Sequence, residues 1–391
     1  MTSNSFLSPE FVESMRRWRR DFHRHPELGF EEHRTAAAVA DLLKEFGIEV
    51  HAGIGGTGVV GVLRRGSGER TIGLRAEMDA LAIQEANGFA HASAIDGRMH
   101  ACGHDGHTAM LLGAACHLAV STNFDGTVFF IFQPAEEHGR GARAMIDDGL
   151  FERFPADSLY AIHNLPSVPV GTVAVNPGPV MACEDNFEIV IDGKGTHAAL
   201  PHLGVDTIVI GSAIVQALQT VVARTMDPVE RGVVSVTEFI SDGIRNAIPG
   251  RVVLKGDTRS FVPSVQEHIE QSMARIVSGI CAAHGAGSDF SYTHEFVATV
   301  NSAREAEIAA AVARDVVGDG RVISSCDPVM FSEDFGHMLR ERPGCNLLIG
   351  NGGDHGLHNP NYDFNDENLP VGAAVWVRLV ETQLAAASAS A

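Results

Sequence analysis

The feature that most constrains the fold is a series of uninterrupted apolar runs separated by stretches with helical periodicity. GVVGVL (58–63), TIGLRAEMDA (71–80) and TVFFIFQ (127–133) are strand-like, and a helix is expected around 105–120. Strands that are apolar throughout are typical of sheets whose two faces are both covered by helices. This part of the chain therefore predicts an α/β sheet.

The pattern changes near residue 184. FEIVIDG (187–193), VVSVTEFI (233–240) and RVVLKGDTRSF (251–261) alternate apolar and polar residues, with helices expected at about 205–224 and 264–284. Alternation at period two is typical of strands with one buried and one solvated face. These strand and helix units predict a small α+β domain.

After about residue 298 the chain returns to its first style, with the buried-strand run NLLIG (346–350) and a closing helix from about 367. The simplest architecture is a larger α/β catalytic domain split by a smaller inserted α+β domain. We place residues 1–184 and 298–391 in the first domain and residues 185–297 in the second. A chain of 391 residues is long enough for both.

Composition excludes several classes of partner. Asp and Glu number 49 against 29 Lys and Arg, a formal net charge of −20. Nucleic acids and anionic membranes both need a basic surface, so we expect neither as a partner. No uninterrupted apolar run approaches the roughly 18–20 residues that span a bilayer, and no signal-peptide core opens the chain. Six scattered cysteines do not form a disulfide framework, so we expect a cytoplasmic protein.

The segment MHACGHDGHTAM (99–110) is a first candidate for chemistry. Cys102 and His104 are two residues apart, so an extended loop can direct both side chains at one point. Thiolate and imidazole both suit zinc. The segment alone is equally compatible with a histidine-rich loop that caps the following helix.

Further candidates follow other strands. Glu136 and Glu137 stand at the carboxyl end of the run TVFFIFQ, where open α/β sheets place their sites. Neighbouring residues of an extended backbone point in opposite directions, so one glutamate could bind a metal while the other serves as a base. His163 follows another apolar run, and His358 lies in a glycine-rich loop after NLLIG. Each has an ordinary structural alternative, but their convergence at four strand ends favours a metal centre.

The chain resembles a known family over nearly its whole length. The segments that carry the resemblance, in order, are FHRHPELGFEE, RAEMDAL, MHACGHDGHTAMLLGAA, QPAEE, GKGTHAALPH, NAIPG, SEDFG and HNPNYDF. They are similar to those of the metal-dependent aminoacylase, hippurate hydrolase and auxin-conjugate amidohydrolase family, relatives of the bacterial glutamate carboxypeptidases. The resemblance implies a dinuclear-metal amidohydrolase that cleaves an N-acyl amino acid into a carboxylic acid and a free amino acid.

The resemblance also implies roles for individual residues. Two divalent ions (zinc, manganese, cobalt or nickel) would be bound by Cys102, His104, Glu137, His163 and His358, with Cys102 bridging them. Glu136 would be the catalytic base, and Asp79 would orient a metal-binding side chain. The chain departs from the family at Glu77, where an aspartate is usual, and this puts the packing around the ligands in doubt.

In the inserted domain, the resemblance assigns His197 to the oxyanion in the active site of a second subunit, which implies a homodimer or larger homo-oligomer. Asn246 and Arg259 would hold the substrate carboxylate, and the domain would close over the substrate as a lid. An arginine fork suits a carboxylate because it donates two parallel hydrogen bonds. Two structural alternatives stay open: His197 caps the next helix or lies on the surface, and Arg259 pairs with Asp257.

Three other functions compete. A dipeptidase or carboxypeptidase of the same fold would use the same chemistry. A catalytically silent metal-binding protein is disfavoured because Glu136, the expected base, is present. A Cys102 nucleophile with a nearby histidine fits covalent catalysis, but it leaves the glutamate pair and the distant histidines without a role.

Overall fold

The computed structural model describes residues 7–385 of the chain. Within that range the α-helices are α1 Pro9–Arg24, α2 His33–Glu45, α3 His104–Val120, α4 Gly141–Asp147, α5 Leu150–Arg153, α6 Thr207–Thr220, α7 Pro263–Ala283, α8 Ala303–Val317, α9 Phe335–Glu341 and α10 Asn368–Gln383. The strands are β1 Glu49–Ile54, β2 Gly58–Arg65, β3 Thr71–Glu77, β4 Gly126–Gln133, β5 Ser158–Leu165, β6 Val173–Ala174, β7 Gly178–Met181, β8 Cys183–Asp192, β9 Thr196–His197, β10 Gly232–Ser241, β11 Ala247–Ile248, β12 Arg251–Ser260, β13 Gly287–Phe296, β14 Thr299–Asn301, β15 Val322–Ile323 and β16 Gly344–Gly350.

These elements form two compact units. The first unit takes in residues up to Val180, Val300–Asp327 and residues from Asp334 onward, and the second takes in Met181–Thr299 and Pro328–Glu333. Residues 181–184, 298–299 and 328–333 were predicted to lie in the larger domain, and the last of these segments is the main difference. The segment belongs to the second unit because the Ala182 amide donates to the carbonyl oxygens of Val329 and Phe331, at 3.2 and 3.0 Å.

The first unit is built on an eight-stranded sheet in the order β1-β2-β4-β3-β5-β16-β6-β15. Its centre, β4-β3-β5-β16, is parallel. Every residue of β4, β5 and β16 is buried, which explains the uninterrupted apolar runs in the sequence. The carboxyl ends of the four parallel strands lie along one edge of the sheet, where α/β folds bind their ligands.

Helices cover both faces of this sheet. Helices α1, α2, α3, α8 and α10 pack on one face, and α4, α5 and α9 pack on the other. Helix α3 is buried along almost its whole length because it lies between the sheet, α1 and α10. Its start, which follows the long loop after β3, is therefore fixed by packing on several sides. The predicted α/β class is confirmed.

The second unit is a four-stranded antiparallel sheet in the order β10-β12-β8-β13. Helices α6 and α7 cover one face and contact Phe187, Ile189 and Ile191 of β8. On the other face, Glu188 pairs with Lys255 at 2.9 Å, and both side chains are exposed. One covered and one solvated face is the arrangement that the period-two pattern predicts, so the inserted α+β class is confirmed.

Strand β13 has no counterpart among the predicted strands. Its sequence, GSDFSYTHEF, is largely polar, and only Phe290 and Tyr292 pack against the core of the second unit. The strand forms because it pairs along its length with β8, from Gly287 opposite Asp192 to Phe296 opposite Glu184. Pairing with a distant strand leaves no local sequence signal.

Among residues 7–385, one helical stretch is long and apolar enough to cross a membrane by length and composition alone. It is Thr207–Thr225, formed by α6 and a π-helical turn, with a mean hydropathy of 1.4. One side of α6, with Ile210, Ile214 and Leu218, is buried in the core of the second unit. Packing on the sheet accounts for this buried side, whereas Ile208 and Val209 of the same helix are exposed.

Candidate metal centre

The predicted site residues of the first unit lie at the carboxyl edge of its parallel strands. Asp79 follows β3, Glu136 and Glu137 follow β4, and His358 lies in the loop after β16. His163 lies inside β5, opposite Leu348 of β16, and not after the strand as predicted. The strand continues past His163 because its pairing with β16 runs on to Leu165.

Cys102 reaches this edge from the loop that precedes α3, and His104 reaches it as the first residue of that helix. The Sγ atom of Cys102 lies 3.4 Å from Nε2 of His163. One ligand atom each from Cys102, His104 and His163 lies within 4.8 Å of the others. Gly103 between them has a φ of 90°, and a Cβ there would collide with the side chains of Asn164 and Tyr362. Glycine is therefore required for this loop to present both ligands.

Glu136 and Glu137 are not in extended backbone, which makes the argument from opposite side-chain directions wrong. They begin a 3₁₀ turn, Glu136–His138, that follows Ala135 in the left-handed region at φ 48°. The turn directs both carboxylates towards one place: Nε2 of His104 lies 3.8 Å from Glu136 and 4.0 Å from Glu137. Backbone direction therefore does not distinguish the roles of the two glutamates. The other side chains that each one contacts must do so.

His358 approaches Glu137 from the loop after β16. Its Nε2 lies 3.4 Å from Oε2 of Glu137, and its side chain is about half exposed. Ligand atoms of Cys102, Glu137 and His358 lie within 4.8 Å of one another. Two ligand groups thus share one thiol: Cys102 with His104 and His163, and Cys102 with Glu137 and His358.

Hydrogen bonds orient both buried histidines with Nε2 towards the cluster. Nδ1 of His104 faces the carbonyl oxygen of Asp79 at 2.9 Å and its Oδ1 at 3.2 Å, and Nδ1 of His163 faces the carbonyl oxygen of Asn164 at 2.8 Å. These acceptors hold the proton on Nδ1. Within residues 7–385, Nε2 of His104 has no hydrogen-bond partner although it is buried. A buried nitrogen of this kind calls for a ligand, and a metal ion fits.

Charge points the same way. Burial opposes protonation of His104, but the hydrogen bond and charge of Asp79, with Glu77 and Glu137, raise its pKa to about 10. Burial lowers the pKa of His163 to about 3, with the charge of His107 acting in the same direction. The carboxylates therefore favour a positive charge at His104, on the imidazole or on an ion bound to it, while His163 stays neutral. Thiolate, imidazole and carboxylate are donors that suit zinc and its neighbours in the transition series.

Asp79, for which the resemblance implies an orienting role, contacts two of the candidate ligands. Besides its contacts with His104, its Oδ2 accepts from the Glu137 amide at 3.0 Å. One carboxylate thus contacts a candidate ligand from the α3 segment and another from the β4 segment. Burial raises its pKa, but His104 and the amides of the glutamate turn bring it below its ordinary value.

Glu77, the departure from the family pattern, is buried and fully engaged. One oxygen meets Arg75, and the other faces Nδ1 of His107 at 2.8 Å. Nε2 of His107 accepts in turn from the backbone amide of Asn164, at 3.0 Å. Although the glutamate side chain is one methylene longer than aspartate, its carboxylate still contacts Arg75 and His107, next to the candidate ligands.

Two further acidic residues hold the glutamate turn, and neither was among the predicted site residues. Oε1 of Glu32 accepts from the Ala135 amide at 2.8 Å, and Glu32 is buried. Asp334 accepts from the Ala142 amide at 2.8 Å and from Nε2 of Gln133 at 2.7 Å. Both lie in segments that carry the resemblance, FHRHPELGFEE and SEDFG, and this was the available signal.

The three predicted residues of the inserted domain lie in the second unit. His197 of β9 pairs with Ala247 of β11, beside Asn246, and both His197 and Asn246 are exposed. Nδ1 of His197 accepts from the Ala199 amide at 3.1 Å. The proton of the neutral imidazole is therefore on Nε2, where it can be donated.

Arg259 is engaged by carboxylates of its own unit. Its Nε lies 2.6 Å from Asp257, and its Nη1 lies 2.8 Å from Glu184. The pairing with Asp257 was the structural alternative that the sequence left open. A substrate carboxylate that used Nε or Nη1 of Arg259 would have to displace one of these partners.

Comparison with known proteins identifies the family. Residues 73–382 match the model of peptidase family M20/M25/M40. The chain belongs to this family. It is 38% identical to a hippurate hydrolase of Campylobacter jejuni, over 95% of this chain and 98% of that one.

Other relatives agree. An IAA-amino acid hydrolase ILR1-like 2 of Arabidopsis thaliana is 37% identical, over 94% of this chain and 84% of that protein. A dinuclear metal binding peptidase of the M20 family from Bacillus subtilis superposes with a TM-score of 0.85 at 32% identity, covering 96% of this chain and 99% of that one. These findings confirm the predicted class, a metal-dependent amidohydrolase.

Replacing Asp79 with alanine removes an acceptor from His104 and another from the Glu137 amide. We expect Asp79→Ala to weaken metal binding by about 10–100-fold, because such supporting bonds hold a ligand in its binding orientation. Titration against a competing chromogenic chelator measures this. The control is Asp41→Ala on α2, whose side chain is 71% exposed. Unchanged affinity in Asp79→Ala would mean that the Asp79 carbonyl alone orients His104.

Proposed function

We propose that this protein is a dinuclear-metal amidohydrolase that releases the amino acid from an N-acyl amino acid. The observation that carries the proposal is the pair of ligand groups that share Cys102, with Glu136 beside them. Relatives named hippurate hydrolase and IAA-amino acid hydrolase support an acylated amino acid as substrate. Zinc, manganese, cobalt and nickel are all compatible with the donor set.

The ligand assignment keeps the five predicted residues. Cys102 would bridge two ions, one held with His104 and His163 and the other with Glu137 and His358. Glu137 suits a ligand because it contacts His358 at 3.4 Å as well as His104 at 4.0 Å. Glu136 contacts His104 at 3.8 Å and is almost completely buried, a suitable place for a base.

Metal ions bound there supply Lewis acidity, which polarises the amide carbonyl and makes water a better nucleophile at neutral pH. Glu136 takes a proton from the attacking water as the C–O bond forms. It then delivers that proton to the amide nitrogen as the C–N bond breaks, so the amino acid leaves as a neutral amine. His197 donates its Nε2 proton in a hydrogen bond to the oxyanion.

Asn246 and Arg259 would bind the carboxylate of the leaving amino acid, and this contact would orient the amide. The assignment of His197 to a second subunit makes a homodimer part of the proposal. A cytoplasmic location is also proposed, and the six cysteines, all free thiols, are compatible with it.

The first test pairs metal analysis with a substrate panel. We expect about two metal ions per chain and chelator-sensitive release of amino acid from N-acetyl, N-benzoyl or N-indoleacetyl amino acids. A dipeptide and an amino acid amide complete the panel and test the peptidase alternative. Metal without hydrolysis of any compound would favour a silent relative, and no metal after reconstitution would overturn the proposal.

Replacing each of the two glutamates should change a different measured quantity. Glu136→Ala removes the base, so we expect full metal content with hydrolysis reduced by about 10²–10⁴-fold. Glu137→Ala removes a ligand, so we expect one ion to be lost. Elemental analysis and turnover on the same preparations measure both quantities. The opposite pattern would exchange the two roles.

His197 should affect turnover without affecting metal. We expect His197→Ala to lower turnover by about 10²–10³-fold, the usual loss for one oxyanion donor, with unchanged metal content. His202→Ala is a matched control because His202 is exposed on the same segment. Equal turnover of His197→Ala and the wild type would remove His197 from the mechanism.

A further inference from the structure

Arg19 of α1 is a permanently charged side chain with only 1% of its surface exposed. Its Nε donates to Asp366 at 2.8 Å, its Nη1 to Asp363 at 2.8 Å, and its Nη2 to the carbonyl oxygen of Phe364 at 3.1 Å. Nη1 also lies 3.4 Å from Asp105. A buried charge is tolerated only when it is paired and hydrogen-bonded, and this guanidinium meets both conditions.

The partners of Arg19 belong to two of the segments that present candidate ligands to the cluster. Asp105 directly follows His104 in the first turn of α3. Asp363 and Asp366 lie in the loop between β16 and α10, which also carries His358. We propose that Arg19 is a positioning residue that ties the His358 loop to the start of the helix carrying His104. This inference rests on the proposed metal site.

His358 depends on such support more than the other candidate ligands do. It is a non-glycine residue with a φ of 61°, and its side chain is 52% exposed. Its backbone amide donates to the Ala101 carbonyl at 2.8 Å. A residue in the left-handed region keeps its conformation only where the surrounding chain is held firmly. His104 and His163, by contrast, are buried and oriented by their own hydrogen bonds.

Loss of Arg19 should therefore act unequally on the two ligand groups. On the C-terminal side of His358, the loop would lose the guanidinium that pairs with its carboxylates and donates to a backbone carbonyl oxygen. The ion held through His358 and Glu137 should weaken, while the ion held through His104 and His163 stays bound. If Arg19 only stabilised the fold, the prediction would differ. Its replacement would then lower the stability of the metal-free protein and would not weaken one ion more than the other.

The test is a Zn²⁺ titration of full-length Arg19→Met and Arg20→Met against a competing chelator. Arg20 is a matched control: it is next in the chain and binds the same Asp366 at 3.0 Å, from an exposed position. We expect one of two Zn²⁺ ions to bind about 10–100-fold more weakly in Arg19→Met, and both ions to bind normally in Arg20→Met. Arg19→Lys keeps the charge without the fork, so we expect a partial loss.

His358→Ala identifies which ion is affected, since it removes the ligand itself. The ion weakened in Arg19→Met must be the one lost in His358→Ala. Asp363→Asn removes one carboxylate from the same cluster and provides a milder variant if Arg19→Met does not fold. It should weaken that same ion.

The inference would be overturned if both ions bound equally more weakly. It would also be overturned if Arg19→Met and Asp363→Asn folded and bound both ions as tightly as the wild type. Thermal melting of the metal-free variants shows whether weaker Zn²⁺ binding is explained by lower stability of the fold alone. Failure of the wild type to bind two ions would instead contradict the proposed function.

Discussion

The structure depends on bringing several charged and metal-binding side chains together in a place that water hardly reaches. Buried carboxylates repel one another and are costly unless each has a partner. The parallel strands meet this constraint by ending at one edge, so that ligands distant in sequence arrive at one cluster. Burial of α3 on several sides then gives Cys102 and His104 a fixed base.

Buried arginines recur around this cluster. Arg75 contacts Gln133 at 2.8 Å and Asp334 at 2.9 Å, and it meets Glu77, so it joins β3, the end of β4 and the start of α9. Arg19 joins α1 to the segments of His104 and His358. Such networks contribute little net stability when compared with apolar packing. We infer that their value here is geometric, because each one contacts segments that surround the candidate ligands.

The backbone near the candidate ligands is also unusual. Ala135 and His358 both lie in the left-handed region, at φ 48° and 61°. Strained residues of this kind persist where surrounding contacts over-determine them, and they cluster at functional sites. Glu32 supplies such a contact at Ala135, and the Ala101 carbonyl supplies one at His358. The inserted domain has a different character, because its predicted substrate-binding residues are exposed or engaged by neighbours of their own unit.

The sequence by itself determined the class of both domains and the class of the enzyme, because uninterrupted and alternating apolar runs reflect burial directly and the motifs are specific. It also proposed the ligand set, which stays a prediction. Only the tertiary structure decided the 3₁₀ turn at Glu136 and Glu137, the position of His163 inside β5, and the existence of β13. It also revealed the contacts that Glu32, Asp334 and Arg19 make around the candidate site. These features arise from pairing between distant strands and contacts between distant side chains, and neither leaves a periodic trace in the local sequence.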